Sequence, residues 1–193
     1  MKKMILILNL ILVCAFVSQT CYSQIEVVLG IAKTSIIGGE SWQDPIGFQV
    51  GAIVPVIDIN DRMAFRAEAN FSMQGAKWEE YSYSGTTTLL YINAPLVIRY
   101  LTESGFFGEV GLQPGILLSA KDKYEDGSSE SYMEYMNAFD LSLPVGIGYQ
   151  FKNNIGVGFR VILGITDITK DEDYSDRNMV YALRGTYRFG PKK

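Results

Sequence analysis

The sequence predicts an all-β chain: an eight-stranded antiparallel up-and-down transmembrane β-barrel preceded by a cleaved signal peptide. Three observations predict it. Eight segments alternate apolar and polar residues with the period of two that marks a strand. The connections between them run long, short, long, short, long, short, long, as in a barrel with one rim outside the cell and the other in the periplasm. Six of the seven arginines fall on the polar faces of these segments, and no lysine occupies the middle of one.

The first 23 residues stand apart. Lys2 and Lys3 precede an apolar run over 4–17, broken only by Asn9, and Cys21 and Ser23 then occupy the small-x-small positions. A positive start, an apolar middle and that ending make 1–23 a signal peptide, cleaved before Gln24, with 24–193 as the barrel domain. The run is short for a membrane-anchoring helix of about 20 residues. Both cysteines, Cys14 and Cys21, belong to this segment, so the remainder has no disulfide, thiol nucleophile or cysteine metal site. Histidine is absent throughout. Without Lys2 and Lys3 the chain carries 15 basic against 21 acidic residues, a net charge of −6 that argues against nucleic acid as a partner.

In order, strands are expected over 25–34, 46–56, 62–74, 88–100, 105–119, 136–151, 155–165 and 179–189. The third is the clearest. Met63, Phe65, Ala67, Ala69, Phe71 and Met73 alternate with Arg62, Ala64, Arg66, Glu68, Asn70, Ser72 and Gln74. Its 13 residues exceed the usual ~5–6 of globular strands and suit a tilted membrane crossing. The first places Val27, Leu29 and Ile31 opposite Val28, Gly30 and Ala32, and the second Phe48, Val50 and Ala52 opposite Gly47, Gln49 and Gly51. The fourth sets Leu90, Ile92, Leu96 and Ile98 against Tyr91, Asn93, Val97 and Arg99. The fifth sets Val110, Leu112 and Ile116 against Glu109, Gly111 and Gln113. In the sixth, Leu143, Val145 and Ile147 oppose Asp140, Ser142, Gly146 and Gly148. In the seventh, Val157, Phe159 and Val161 oppose Gly156, Gly158 and Arg160, and in the eighth Tyr181, Leu183 and Tyr187 oppose Arg184 and Arg188. Short turns are expected at 58–61, 102–104 and 152–154, and long loops at 35–44, 75–87, 120–135 and 166–178.

Alternation alone does not separate a membrane barrel from a soluble periplasmic ligand-binding barrel with its faces exchanged. Residue chemistry separates them. A soluble exterior is normally rich in Lys, Glu and Thr and poor in Gly, whereas here the polar faces hold Gly47, Gly51, Gly111, Gly115, Gly146, Gly148, Gly156 and Gly158. Small residues with arginines and carboxylates suit the side-chain-filled lumen of an eight-stranded barrel. Arg66, Arg99, Arg160, Arg184 and Arg188 are expected to share Glu68, Glu109 and Asp140 there, as a lumenal polar network. A one-residue slip would turn Arg66 toward lipid at a cost of roughly 2–4 kcal/mol at the midplane, so register is strongly specified. Tyr100, Tyr149, Phe151, Tyr187 and Phe189, beside the short turns, make an interfacial aromatic girdle.

A signal ending in Ser-Gln, Gly-rich first strands, Ser72-Met73-Gln74-Gly75-Ala76-Lys77, Tyr91-Ile92-Asn93-Ala94-Pro95-Leu96 and the Tyr187-Arg188-Phe189 ending together resemble the PorT-type family of small outer-membrane β-barrels over 25–189. The resemblance implies a signal peptide and an outer-membrane location, and it brings a secretion machinery into view as a candidate partner.

Without histidine a Ser-His-Asp arrangement is impossible. Glu68 with Glu109 or Asp140 is the one lumenal carboxylate pair that could act as acid and base, and an ion network holding the barrel together is preferred. The expectation is a non-enzyme with no catalytic residues, no cofactor and no metal. The long loops carry 14 acidic residues against five basic, net −9. Within them Asp167, Asp171, Glu172, Asp173 and Asp176 lack the spacing of a calcium loop and read as a solvated acidic loop. Trp42, Trp78, Tyr81, Tyr83, Tyr132, Tyr135 and Tyr174 are either an outer aromatic belt or a recognition surface for an extracellular protein or glycan. The expected role is that of a monomeric structural or interaction barrel set in outer-membrane lipid. A small pore is the alternative.

Overall fold

The computed structural model describes residues 25–38, 42–43, 45–80, 83–125, 127–171 and 175–190. The expected signal peptide and its cleavage point lie outside these residues. Eight barrel strands follow in order. They are β1 (Glu26–Ile37), β2 (Ile46–Asn60), β3 (Met63–Glu80) and β4 (Tyr83–Asn93, resumed at Leu96–Leu101), then β5 (Phe106–Tyr124), β6 (Phe139–Gln150), β7 (Ile155–Gly164) and β8 (Arg177–Arg188). Each pairs antiparallel with its successor. β8 returns to β1 in unbroken register from Glu26↔Arg188 to Ile37↔Arg177. That seam closes the sheet and removes its edges, as lipid requires of a strand-built crossing. Among the described residues no helix is long and apolar enough to cross a membrane.

Two departures in the wall trace to proline. β4 breaks at Ala94 and Pro95, yet the ladder is bridged there by Glu68 N–H donating to Pro95 O at 2.8 Å and Ala94 N–H to Pro114 O at 2.8 Å. β2 carries a register shift between Pro55 and Ile57, where Pro55 has no N–H to donate, and a second shift between Asp58 and Asn60 beside the turn. In the short turn that follows, Asn60 Oδ1 accepts from the N–H groups of Arg62 and Met63, each at 2.9 Å.

Burial follows the alternation. Leu29, Ile31, Ile147 and Leu183 are 58–67% exposed, whereas Arg66, Glu68, Arg99, Asp140, Arg160 and Arg184 are at most 5% exposed. Phe159 is exposed and Phe65, Phe71 and Leu143 are half-buried, all on the outer surface opposite the arginines. Beside the short turns, Phe106 meets Tyr149 edge-on at 5.0 Å, Tyr149 meets Phe151 at 4.8 Å, and Tyr187 meets Phe189 at 5.0 Å. The expected girdle is present, with Phe106 added.

The long connections are more ordered than their composition suggests. Residues 75–87 are expected to be loop, yet β3 continues to Glu80 and β4 begins at Tyr83, paired from Gly75↔Thr88 to Glu80↔Tyr83. Likewise β5 runs to Tyr124 and pairs with a short strand, Ser129–Ser131, before a 3₁₀ turn at Met133–Tyr135. Trp42–Gln43 pairs with Lys77 and Trp78. Above the lipid the outer face of a hairpin meets water while its inner face still packs, as at Ala76 and Ala120, so the outward apolar row that marks a strand within the bilayer has no reason to persist.

Candidate functional site

The lumen is filled in tiers. At the short-turn end, Glu26 at the start of β1 faces Arg188 across the closing seam and accepts from its Nε at 2.8 Å. Arg66 Nη2 lies 2.5 Å from the other Glu26 oxygen as an ion pair without hydrogen-bond alignment. One tier up, Arg160 reaches across the barrel. Its Nη1 and Nη2 donate to the two oxygens of Glu68 at 2.9 and 2.7 Å, and its Nε donates to Glu109 Oε1 at 2.9 Å. Nη2 also contacts that Glu109 oxygen. Arg184 Nη2 donates to Glu68 Oε2 at 2.7 Å. Arg99 donates to Glu109 Oε2 from Nε and Nη2 at 3.0 and 2.8 Å, with its guanidinium carbon 3.9 Å from the centre of the Phe107 ring. Inward glycines make room for these tiers. A Cβ on Gly148 would lie 2.4 Å from Phe107 Cζ.

Of the residues expected to form one network, Arg99, Arg160 and Arg184 share Glu68 and Glu109, whereas Arg66 and Arg188 meet Glu26 instead. Asp140 does not join them. It is buried in the lumen but accepts from Ser142 at 3.1 Å, Thr166 at 2.9 Å and Asn178 at 3.2 Å. The reason is position along the strand. Asp140 is six residues from Gly146, the register partner of Arg160, about 20 Å of extended chain. Glu26 takes the acceptor role instead. Counting back from Leu29 by twos places Val27 outward and Glu26 inward, so the alternation held the signal for it. Glu68 and Glu109, raised above as an acid–base pair, have both oxygens occupied by guanidinium donors.

Above the ion network lies a belt of amides and hydroxyls. Gln74 and Asn93 both donate to Ser72 Oγ at 2.9 Å, and Asn70 donates to Glu68 at 3.1 Å. This belt surrounds a cavity of about 10 Å³, on the scale of a single water molecule. Higher still, Ile36, Ala76, Leu89, Tyr91, Leu117, Ala120, Met136 and Ile168 form an apolar plug across the outer mouth. The plug is covered by chain from two connections. Asn137 N–H donates to Ile168 O at 2.9 Å, and Lys170 N–H to Tyr135 O at 2.9 Å. Asp167 Oδ1 accepts from the N–H groups of Thr169 and Asp176, each at 3.1 Å. Among the described residues no three carboxylate, histidine or cysteine groups converge to hold a metal ion, and Glu172 and Asp173 lie outside them. Of the aromatic residues singled out, Tyr132 and Tyr135 are exposed with ring centres 5.0 Å apart. Trp42 and Trp78 are paired in backbone register, and Tyr81 and Tyr174 lie outside the described residues.

A closed eight-stranded barrel with an oily exterior and a charged interior defines an outer-membrane β-barrel. The chain belongs to the outer membrane protein beta-barrel domain family, whose model matches residues 18–170. Its fold is similar to that of Neisserial surface protein A, at 14% identity over 86% of this chain and 97% of that one, with a TM-score of 0.61. The attachment invasion locus protein Ail of Yersinia pestis matches at 17% identity over 86% and 99%, TM-score 0.47. OprG of Pseudomonas aeruginosa matches at 13% over 88% and 97%, TM-score 0.46. At such identities the likeness is one of fold. No curated protein sequence matches the chain. The protein resides in the outer membrane.

Proposed function

We propose that this is a non-enzymatic, monomeric interaction barrel: a closed wall in the outer membrane that holds an ordered, acidic, aromatic cap toward the cell exterior. One observation carries the reading. The lumen is obstructed twice, by the apolar plug at its outer mouth and by the arginine–glutamate tier below. A solute crossing would have to break both, whereas the cap, held by backbone hydrogen bonds between two connections, offers a fixed surface. Tyr132 and Tyr135 stand exposed on it, and Tyr is a residue type enriched in recognition patches. The partner so proposed is an extracellular protein or glycan, with a component of a secretion machinery as the second candidate. Cross-linking from cap positions in intact cells, with the captured partner identified by mass, tests the proposal. A discrete protein or glycan adduct supports it. Steady unitary conductance of the purified barrel in planar bilayers overturns it in favour of a pore.

A further inference from the structure

The charges inside the periplasmic half of the barrel do not balance. Arg66, Arg99, Arg160, Arg184 and Arg188 face inward there, against Glu26, Glu68 and Glu109; Asp140 sits beyond the amide belt and bonds no arginine. The excess is two positive charges, in a space where four of the five guanidiniums are at most 5% exposed. Each glutamate already serves two or more arginines. Glu68 takes Arg160 and Arg184; Glu109 takes Arg160, Arg99 and Arg184; Glu26 takes Arg66 and Arg188.

The shortfall is greatest at Arg66, which is 3% exposed: its Nη1 is buried without an acceptor and its Nη2 has only the ion-paired Glu26 oxygen, while Arg184 leaves just its Nε unbonded. Arg66 lies opposite Val97 and Arg99 opposite Ala64, which makes the two arginines diagonal neighbours on one face of adjacent strands. Two like charges this close in a space shielded from water repel, and a guanidinium with orphaned donors carries a desolvation cost that an acceptor would relieve. The missing partner is therefore negatively charged, small, and supplied from the periplasm, where Arg188 remains partly exposed at the mouth.

We propose that Arg66, with Arg99 beside it, binds a small monovalent inorganic anion, chloride being the form tested, and that this ion completes the lumenal network. Thermal unfolding of the purified barrel in detergent, in sodium chloride against sodium gluconate at equal ionic strength, tests it. Chloride should raise the midpoint in a saturable manner, as a ligand bound to the folded state does, and chlorine NMR lines should broaden on the folded protein. Arg66→Gln should abolish both effects, while Arg62→Gln, which alters an exposed rim arginine, should leave them intact. If Arg66→Gln fails to fold, Arg188→Gln lowers the excess charge at the mouth and should weaken the chloride response. Equal midpoints in the two salts, unbroadened chlorine lines, or a chloride response undiminished in whichever lumenal variant folds would overturn the assignment.

Discussion

Arg160→Met is the most informative single perturbation of the lumen. Arg160 is 1% exposed and donates to both Glu68 and Glu109. Charge-assisted hydrogen bonds contribute about 1.5–3 kcal/mol each, so three well-formed ones set an upper bound near 5–9 kcal/mol. Desolvation of the guanidinium offsets much of that, and removing one partner of a buried ion pair typically costs about 3–5 kcal/mol. Here the lower part of that range applies, because Glu68 keeps Arg184 and Glu109 keeps Arg99. Arg160→Met should therefore destabilise the barrel by about 3 kcal/mol, read from urea unfolding in lipid vesicles followed by tryptophan fluorescence. Glu68→Gln should cost a similar amount. The double variant should cost clearly less than the sum, since each single change removes the same pair of hydrogen bonds between Arg160 and Glu68. Strict additivity, or a loss under about 1 kcal/mol for Arg160→Met, would refute the view that these groups act as one network.

Two further outcomes follow from the same geometry. Gly148→Val should block folding or cost at least about 1–3 kcal/mol by overpacking, seen as loss of the heat-modifiable gel band, because its Cβ would sit 2.3 Å from Val157 O as well as against Phe107. In the cap, burial pushes the Asp122 carboxyl up from the ordinary aspartate range, with Glu130 adding and a hydrogen bond from Thr87 opposing; burial, then Asp167, pushes Asp176 up likewise. Folded values raised above unfolded ones stabilise the cap fully below the unfolded aspartate range and lose that contribution as pH rises through the folded values. Hydrogen-exchange protection of the Met136 and Ile168 amides, corrected for intrinsic rates, should accordingly rise on acidification, and Asp122→Asn should flatten the trend; protection that falls would contradict it.

Strand number, order and facing were legible because the bilayer imposes them. A lipid-facing row with a side-chain period of two leaves its mark in 62–74 and in every other crossing. What lies beyond the lipid left no such mark, and so the paired extension from Gly75 to Glu80 read as loop. The arginines of the lumenal ion network were legible, whereas its carboxylates were so only in part and its pairings not at all. Which arginine meets which glutamate depends on strand stagger around the barrel, and that is why Asp140 fell to Ser142, Thr166 and Asn178 while Glu26 joined Arg66 and Arg188. The plug was the least visible. Ile36, Met136 and Ile168 come from three different connections or strand ends, and nothing local marks them as neighbours.

The orientation of the wall can be measured directly with spin labels on cysteines introduced singly at Leu29, Ile147 and Leu183, in vesicles. Labels at these sites should be relaxed strongly by oxygen, which concentrates in acyl chains, and scarcely by a water-soluble nickel chelate. Ready collision with the chelate and poor access to oxygen would place these side chains away from lipid and turn the barrel inside out.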